Sequence, residues 1–327
     1  MAEVPLVRDW QAPFYVDVRL TLSVHGRGAS DPTFRIDEAG AVWRTSLTPE
    51  GPGTIRVLQA RRPSSLVPAD PADATDGPVP AGTRVRASAW GPGAAWLLDT
   101  LPDALGLHDD PEGFDAGSHP VLREVTARHP GLRLGRTGRL MEALVPAILE
   151  QKVTGVEAHR AWRFLLTRFG APPPGPAPKG MRVVPEARTW RRIPSWEWHR
   201  AGVEGIRAQT IITAASAADS LERLLTQTHA EADRALRSIP GIGPWTSAEA
   251  RQRASGDPDA VSVGDYHLPK VVGWALAGRP DTDDAAMLEL LAPYAGHRHR
   301  VTRLLELSGL GPPRRGPRMS VRDYRAF

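Results

Sequence analysis

The tightest constraint on this chain lies in residues 236–276, LRSIPGIGPWTSAEARQRASGDPDAVSVGDYHLPKVVGWAL. Ala235, Leu236 and Ile239 suit the end of a helix, and Trp245 and Ala248 restart helical spacing, so residues 240–244 read as a tight hairpin between two helices. Gly241 and Gly243 permit positive φ and let an outside group approach the backbone, while Pro244 suits a first helical turn, where its missing N–H would be unbonded anyway. Such a hairpin presents N–H groups at a helix N-terminus, a natural seat for a phosphate. After a polar loop at 255–259, Asp265 stands between the apolar run at Val261 and a helix carrying Val271, Val272, Trp274, Ala275 and Leu276. An Asp there reads as an N-cap, as a carboxylate facing a ligand, or as both.

Hairpin and spaced carboxylate together resemble the helix-hairpin-helix (HhH-GPD) DNA glycosylases, most closely the bacterial 3-methyladenine DNA glycosylase II type. The resemblance implies that Asp265 is the catalytic carboxylate. It implies that the amides of Gly241, Ile242, Gly243 and Thr246 meet a DNA phosphate, and that a Na or K ion sits on the carbonyls of Arg237, Ile239 and Gly241; no other cofactor is expected. The stretch LVPAILEQKVTGVEAHRAWRFLLTRFG is similar to the family's helical pair, whose Gln and following residue face the damaged pair. Here these are Gln151 and Lys152, and Lys152 stands where the family has a bulky apolar wedge, so it is read either as a wedge or as a phosphate contact. Trp245 occupies the place where lyase-type relatives carry a lysine, which implies hydrolysis without strand cleavage and puts Trp245, Glu249 and Tyr266 at the base pocket.

The rest of the chain fits around that centre. With 327 residues it is long enough for more than one domain. Phe14–Leu22, 41–45, 54–58 and 84–90 alternate as half-buried strands do, and Ala94–Leu105 has helical spacing. The expected division is an α+β domain at 1–108, a two-lobed, mainly helical core at 109–310 with its helix-hairpin-helix near 230–255, and a basic tail at 311–327. DPT at Asp31–Thr33, TPEGPGT at Thr48–Thr54 and AWGPGAAW at Ala89–Trp96 resemble the family's N-terminal domain, in which the charged residues read as solvated strand faces. Pro63–Gly82, rich in Pro, Ala and Asp, reads as a loop. From Gly113 on, Ser118, Thr137 and Thr282 are candidate helix caps, Val156 and Val153 candidate apolar-face residues, and Gly170 a candidate left-handed helix end. Trp190, Trp196 and Trp198 read as core packing before base stacking.

Absence of cysteine excludes disulfides, thiolate catalysis and cysteine-ligated zinc or iron–sulfur clusters. MAEVPLVRDW has no signal-peptide pattern, so a cytoplasmic, nucleoid-associated monomer without membrane contact is expected. Eight arginines against two acids from His297 to Phe327 suit a polyanion partner, with Arg298 and Arg300 as candidate phosphate contacts. The function implied is a glycosylase that flips and hydrolyses alkylated purines, 3-methyladenine and 7-methylguanine among them, from duplex DNA. Other readings are a glycosylase for deaminated purines or cross-link adducts, and a non-catalytic damage binder.

Overall fold

The computed structural model describes residues 3–60 and 82–313; the expected loop at 63–81 and the tail from Arg314 on lie outside the described residues. Five antiparallel strands come first: β1 (Leu6–Ala12), β2 (Phe34–Ile36), β3 (Val42–Thr48), β4 (Gly51–Gln59) and β5 (Thr83–Trp90), in the spatial order β1-β5-β4-β3-β2. Alternation does its ordinary work here. Val42, Ile55, Val57, Val85, Ala87 and Ala89 face the short helices Val18–Leu22, Ala94–Asp99 and Leu101–Ala104, and Trp43 and Trp90 stack at 5.4 Å on the other face against Met181.

Everything that follows is helical, apart from an isolated bridge between Ala171 and Val183. One core joins the helices Leu140–Leu149, Gly155–Phe169, Ala187–Arg192, Ser195–Ala201, Gly205–Ser216, His229–Arg237 and Pro244–Ala254. A second joins Pro120–Arg128, Leu268–Ala277, Asp284–Leu291 and Arg298–Ser308. The protein is thus mainly α with one small sheet, and the stretch 255–267 crosses between the two helical cores.

Several local expectations are corrected. Phe14–Leu22 is not a strand: Asp17 accepts from the Leu20 amide at 2.9 Å and caps a helix whose Val18, Thr21 and Leu22 turn inward at helical spacing. The true first strand is an edge with Leu6 and Val7 exposed, and so lacks alternation. His119 and Asp283 cap the helices assigned to Ser118 and Thr282. At Leu140 the first amides are held by the Glu222 carboxylate, 82 residues away, with Thr137 bonding only Arg139. Gly170 ends its helix in extended backbone, φ −74°, and is needed for space: a Cβ would lie 2.5 Å from the Leu166 carbonyl oxygen. Val156 is exposed and Val153 lies past the helix end. Trp190 and Trp198 are buried as expected, but Trp196 is 64% exposed.

Arg84 and Arg86 on β5 are exposed as expected, but Asp31 and Arg27 of the N-terminal segment are not solvated. Asp31, 1% exposed, accepts from the Trp162 indole at 3.0 Å, from the Arg27 amide at 2.6 Å and from Thr33. Arg27 in turn pairs with Glu150 at 2.9 Å. These bonds join the sheet segment to the helical core through polar groups that burial leaves without water. Replacing Asp31 by Ala orphans those donors and is expected to cost about 3–5 kcal/mol of stability. Urea unfolding measures this, and a loss under about 1 kcal/mol would show that water takes the carboxylate's place.

Candidate DNA-facing site

The hairpin forms as its residues dictate, with one difference. Gly241 has φ +89°, as a tight reversal requires, and a Cβ there would sit 2.1 Å from the Thr210 hydroxyl. Gly243 is extended, φ −96°, and precedes Pro244 as N-cap; its missing side chain would meet nothing within 4 Å. Glycine at 243 therefore leaves open the space in front of the helix end. The amides of Gly241, Gly243, Trp245 and Thr246 have no hydrogen-bond partner among the described residues. The Ile242 amide is different: it bonds the Ile239 carbonyl at 3.0 Å, and its side chain is buried, so Ile242 anchors the hairpin and offers nothing outward. An approaching oxyanion would meet unpaired N–H groups and the positive end of a helix dipole.

Gln151 closes on this hairpin from the end of Leu140–Leu149, its side-chain amide donating to the Gly241 carbonyl at 2.9 Å and to the Thr246 hydroxyl at 2.8 Å. Lys152 beside it is exposed and holds φ +53°, the one non-glycine residue with positive φ among the described residues. That conformation is costly for a side-chain-bearing residue and occurs where the surroundings impose it. Here Gln151 is fixed on one side and the Thr154–Glu157 capping box on the other.

Asp265 stands at the start of Leu268–Ala277, opposite the hairpin. One carboxylate oxygen accepts from the amides of His267 (2.7 Å) and Leu268 (2.8 Å), and the other accepts from the Trp245 indole N–H at 3.1 Å. Asp265 thus holds the amides of the N-cap His267 and of the first helical residue Leu268. The preceding Gly264 has φ +94°, and its amide is gripped by both oxygens of Asp284 at 3.1 Å. Asp284 was not legible as a partner, being 20 residues on and itself the first residue of a helix. Tyr266 is 74% exposed, and the Lys270 ammonium lies 4.3 Å from its ring centre.

Other expected site residues are engaged elsewhere. Glu249 accepts from Ser262 at 2.6 Å and pairs with Arg253 at 2.7 Å; although burial raises its pKa, Arg253 and Ser262 bring it below the ordinary value. A buried carboxylate so paired is a structural ion pair and not an open contact for a base. Arg300 is 5% exposed and locked on Asp109 at 2.5 Å, and Arg298 forks onto Asp259 at 2.8 and 2.5 Å. Acids from two distant loops thus already pair with both arginines, and of the two only Arg298 keeps appreciable side-chain exposure, 34%.

No family model matches the chain. Its fold is nonetheless similar to those of solved DNA glycosylases. It superposes on a 3-methyladenine DNA-glycosylase from Archaeoglobus fulgidus with a TM-score of 0.72 at 17% identity, covering 92% of this chain and 98% of that one. An 8-oxoguanine glycosylase/lyase from Clostridium acetobutylicum gives 0.65 at 11% identity, covering 94% and 99%. By sequence, the chain is homologous to a probable bifunctional transcriptional activator/DNA repair enzyme AlkA from Mycobacterium tuberculosis, 32% identical over 170 residues. That match covers 50% of this chain but only 33% of the curated relative.

Behind Glu249 and Arg253 lies His299, whose pKa burial lowers to about 3, with Arg253, Arg303 and Arg300 acting the same way against Glu249. A folded-state value below the unfolded one means that stability is complete above the ordinary histidine range and falls as the solution is acidified through it. Between pH 6 and 5 the His299→Gln variant is expected to lose about 1 kcal/mol less stability than the parent. Urea midpoints at the two pH values give the comparison, and equal slopes would mean that His299 is protonated in the fold.

Proposed function

We propose that this protein is a DNA glycosylase that removes alkylated purines of the 3-methyladenine and 7-methylguanine type from duplex DNA, by base flipping and without cutting the strand. The observation that carries the reading is Asp265, held by three N–H donors across the cleft from a hairpin with unpaired amides. The hairpin would seat a phosphate of the lesion strand, Gln151 and Lys152 would face the gap in the stack, and the flipped nucleotide would lie beside the bonded Trp245–Asp265 pair, its sugar next to the carboxylate. Extrusion costs a few kcal/mol and is least for damaged pairs, which favours lesions before any contact is made.

An N-alkylated purine already carries positive charge, so its departure needs no proton donor. As the glycosidic bond breaks, its electrons leave with the base and positive charge grows on the sugar, where a fixed carboxylate stabilises it until water adds to C1′. Trp245 has no nucleophilic amine, which supports hydrolysis over lyase chemistry. Glu249 is bound to Arg253 and gives no support to a different lesion class. A Na or K ion at the hairpin would rely on second lone pairs of the Ile239 and Gly241 carbonyls, since Ile242 and Gln151 already use one each.

Base release from a duplex carrying 7-methylguanine and 3-methyladenine tests the proposal. Asp265→Asn should lower the rate by roughly 10²–10³-fold with lesion binding retained, as loss of an electrostatic stabiliser does. Trp245→Phe, which keeps the ring and removes the N–H, should cost about tenfold by freeing one carboxylate oxygen. No release by the parent protein, with tight binding to the lesion, would mark it as a damage binder; borohydride trapping on DNA would mark it as a lyase using Lys152 or Lys270.

A further inference from the structure

Positive charge is concentrated in a stretch of the chain that does not include Asp265. Residues 160–200 hold nine Arg or Lys against two Glu, an excess of seven in a chain whose total is +4, so the remainder is net acidic. Six of these nine side chains are exposed on a platform of three helices packed through one column of rings. Helices Ala187–Arg192 and Ser195–Ala201 are rooted by a column of buried rings, Trp162 to Trp190 at 6.5 Å and Trp190 to Trp198 at 6.1 Å. With those rings turned inward, Arg188, Arg191, Arg192 and Arg200 are exposed, as are Arg163 and Arg168 on the neighbouring Gly155–Phe169. Glu197 ties the helices together by meeting both Arg168 (2.9 Å) and Arg200 (3.6 Å), one acid against two cations. Arg163, Arg191 and Arg192 have no ion-pair partner among the described residues.

Trp196 lies on the same helix as Arg200, one turn before it, and is 64% exposed. An indole left in water among arginines has no role in the packing that Trp190 and Trp198 already supply. Guanidinium groups alone would suit any polyanion, but an exposed ring adds something only where the partner has a free aromatic face. A duplex hides its base faces in the stack; a single strand offers them.

We propose that the face formed by residues 187–200 with Arg163 and Arg168 is a second nucleic-acid site, taking single-stranded DNA with an unpaired base stacked on Trp196 and phosphates on the arginines. It does not depend on Asp265 or on the glycosylase reading. A strand held there lies outside the hairpin, so one protein could hold duplex at the hairpin and unpaired DNA on the platform.

Fluorescence anisotropy with labelled single-stranded oligothymidylate, in a salt series beside a duplex of equal length, decides it. The parent should bind the single strand. Trp196→Ala should weaken that binding by about 5- to 150-fold, the size of one base stack removed, and leave duplex affinity and base release unchanged. Arg191→Ala/Arg192→Ala should reduce the salt slope on the single strand by about 0.7 for each phosphate that is no longer neutralised. Both changes are at exposed positions, and circular dichroism checks the fold. Lack of affinity for the oligonucleotide, equal affinity of the Trp196→Ala variant, or an arginine effect confined to the duplex would each overturn the proposal; so would binding of an acidic peptide in place of the single strand.

Discussion

One indole N–H joins the hairpin to the second helical core. Trp245 belongs to the hairpin's second helix and Asp265 to the entrance of the other core, and their 3.1 Å bond fixes the separation between the hairpin amides and the carboxylate. Two further bonds make that separation rigid. Gln151 ties the hairpin to the helix before it, and Asp284 holds Gly264, which turns the chain into Asp265. A group acting on developing charge must be in place beforehand, because reorganisation at the moment of reaction would consume what the charge contributes. The donors around Asp265, two backbone amides and one ring, give its carboxylate such a fixed place, as the proposed role requires, and none of them titrates near neutrality.

The same need for satisfied polar groups shapes the protein's interior. Arg27 with Glu150, Arg253 with Glu249, and Arg300 with Asp109 are pairs whose side chains are largely shielded from water, and two of the three join residues more than a hundred positions apart. Charges removed from water must be neutralised and hydrogen-bonded, or they cost several kcal/mol each. Such pairing neutralises Arg298 and Arg300, two of the eight arginines after His297.

Elements with a local cause were readable. Pro240, Gly241, Gly243 and Pro244 place the hairpin whatever surrounds them, and β3, β4 and β5 alternate because one sheet face packs on helices. Elements whose cause is remote were not. β1 is an exposed edge without an apolar period, while residues 14–22 alternate by chance and fold as a helix because Asp17 caps it and Val18, Thr21 and Leu22 find the sheet. Ser118 and Thr282 lost their caps to neighbours one residue on, and Thr137 lost its place to Glu222, since a carboxylate brought in by tertiary packing satisfies two amides where a hydroxyl satisfies one.

At the site the division is equally physical. Sequence alone determined the hairpin, the isolated Asp265 at a helix entrance and the presence of Gln151, because turn chemistry, capping and motif spacing act over a few residues. Tertiary structure alone decided that Trp245 and Gln151 hold these parts together, that Glu249, Arg298 and Arg300 are already neutralised, and that Trp196 is left in water while Trp190 and Trp198 are not. Burial and ion pairing depend on which distant segments meet, and spacing along the chain does not encode that.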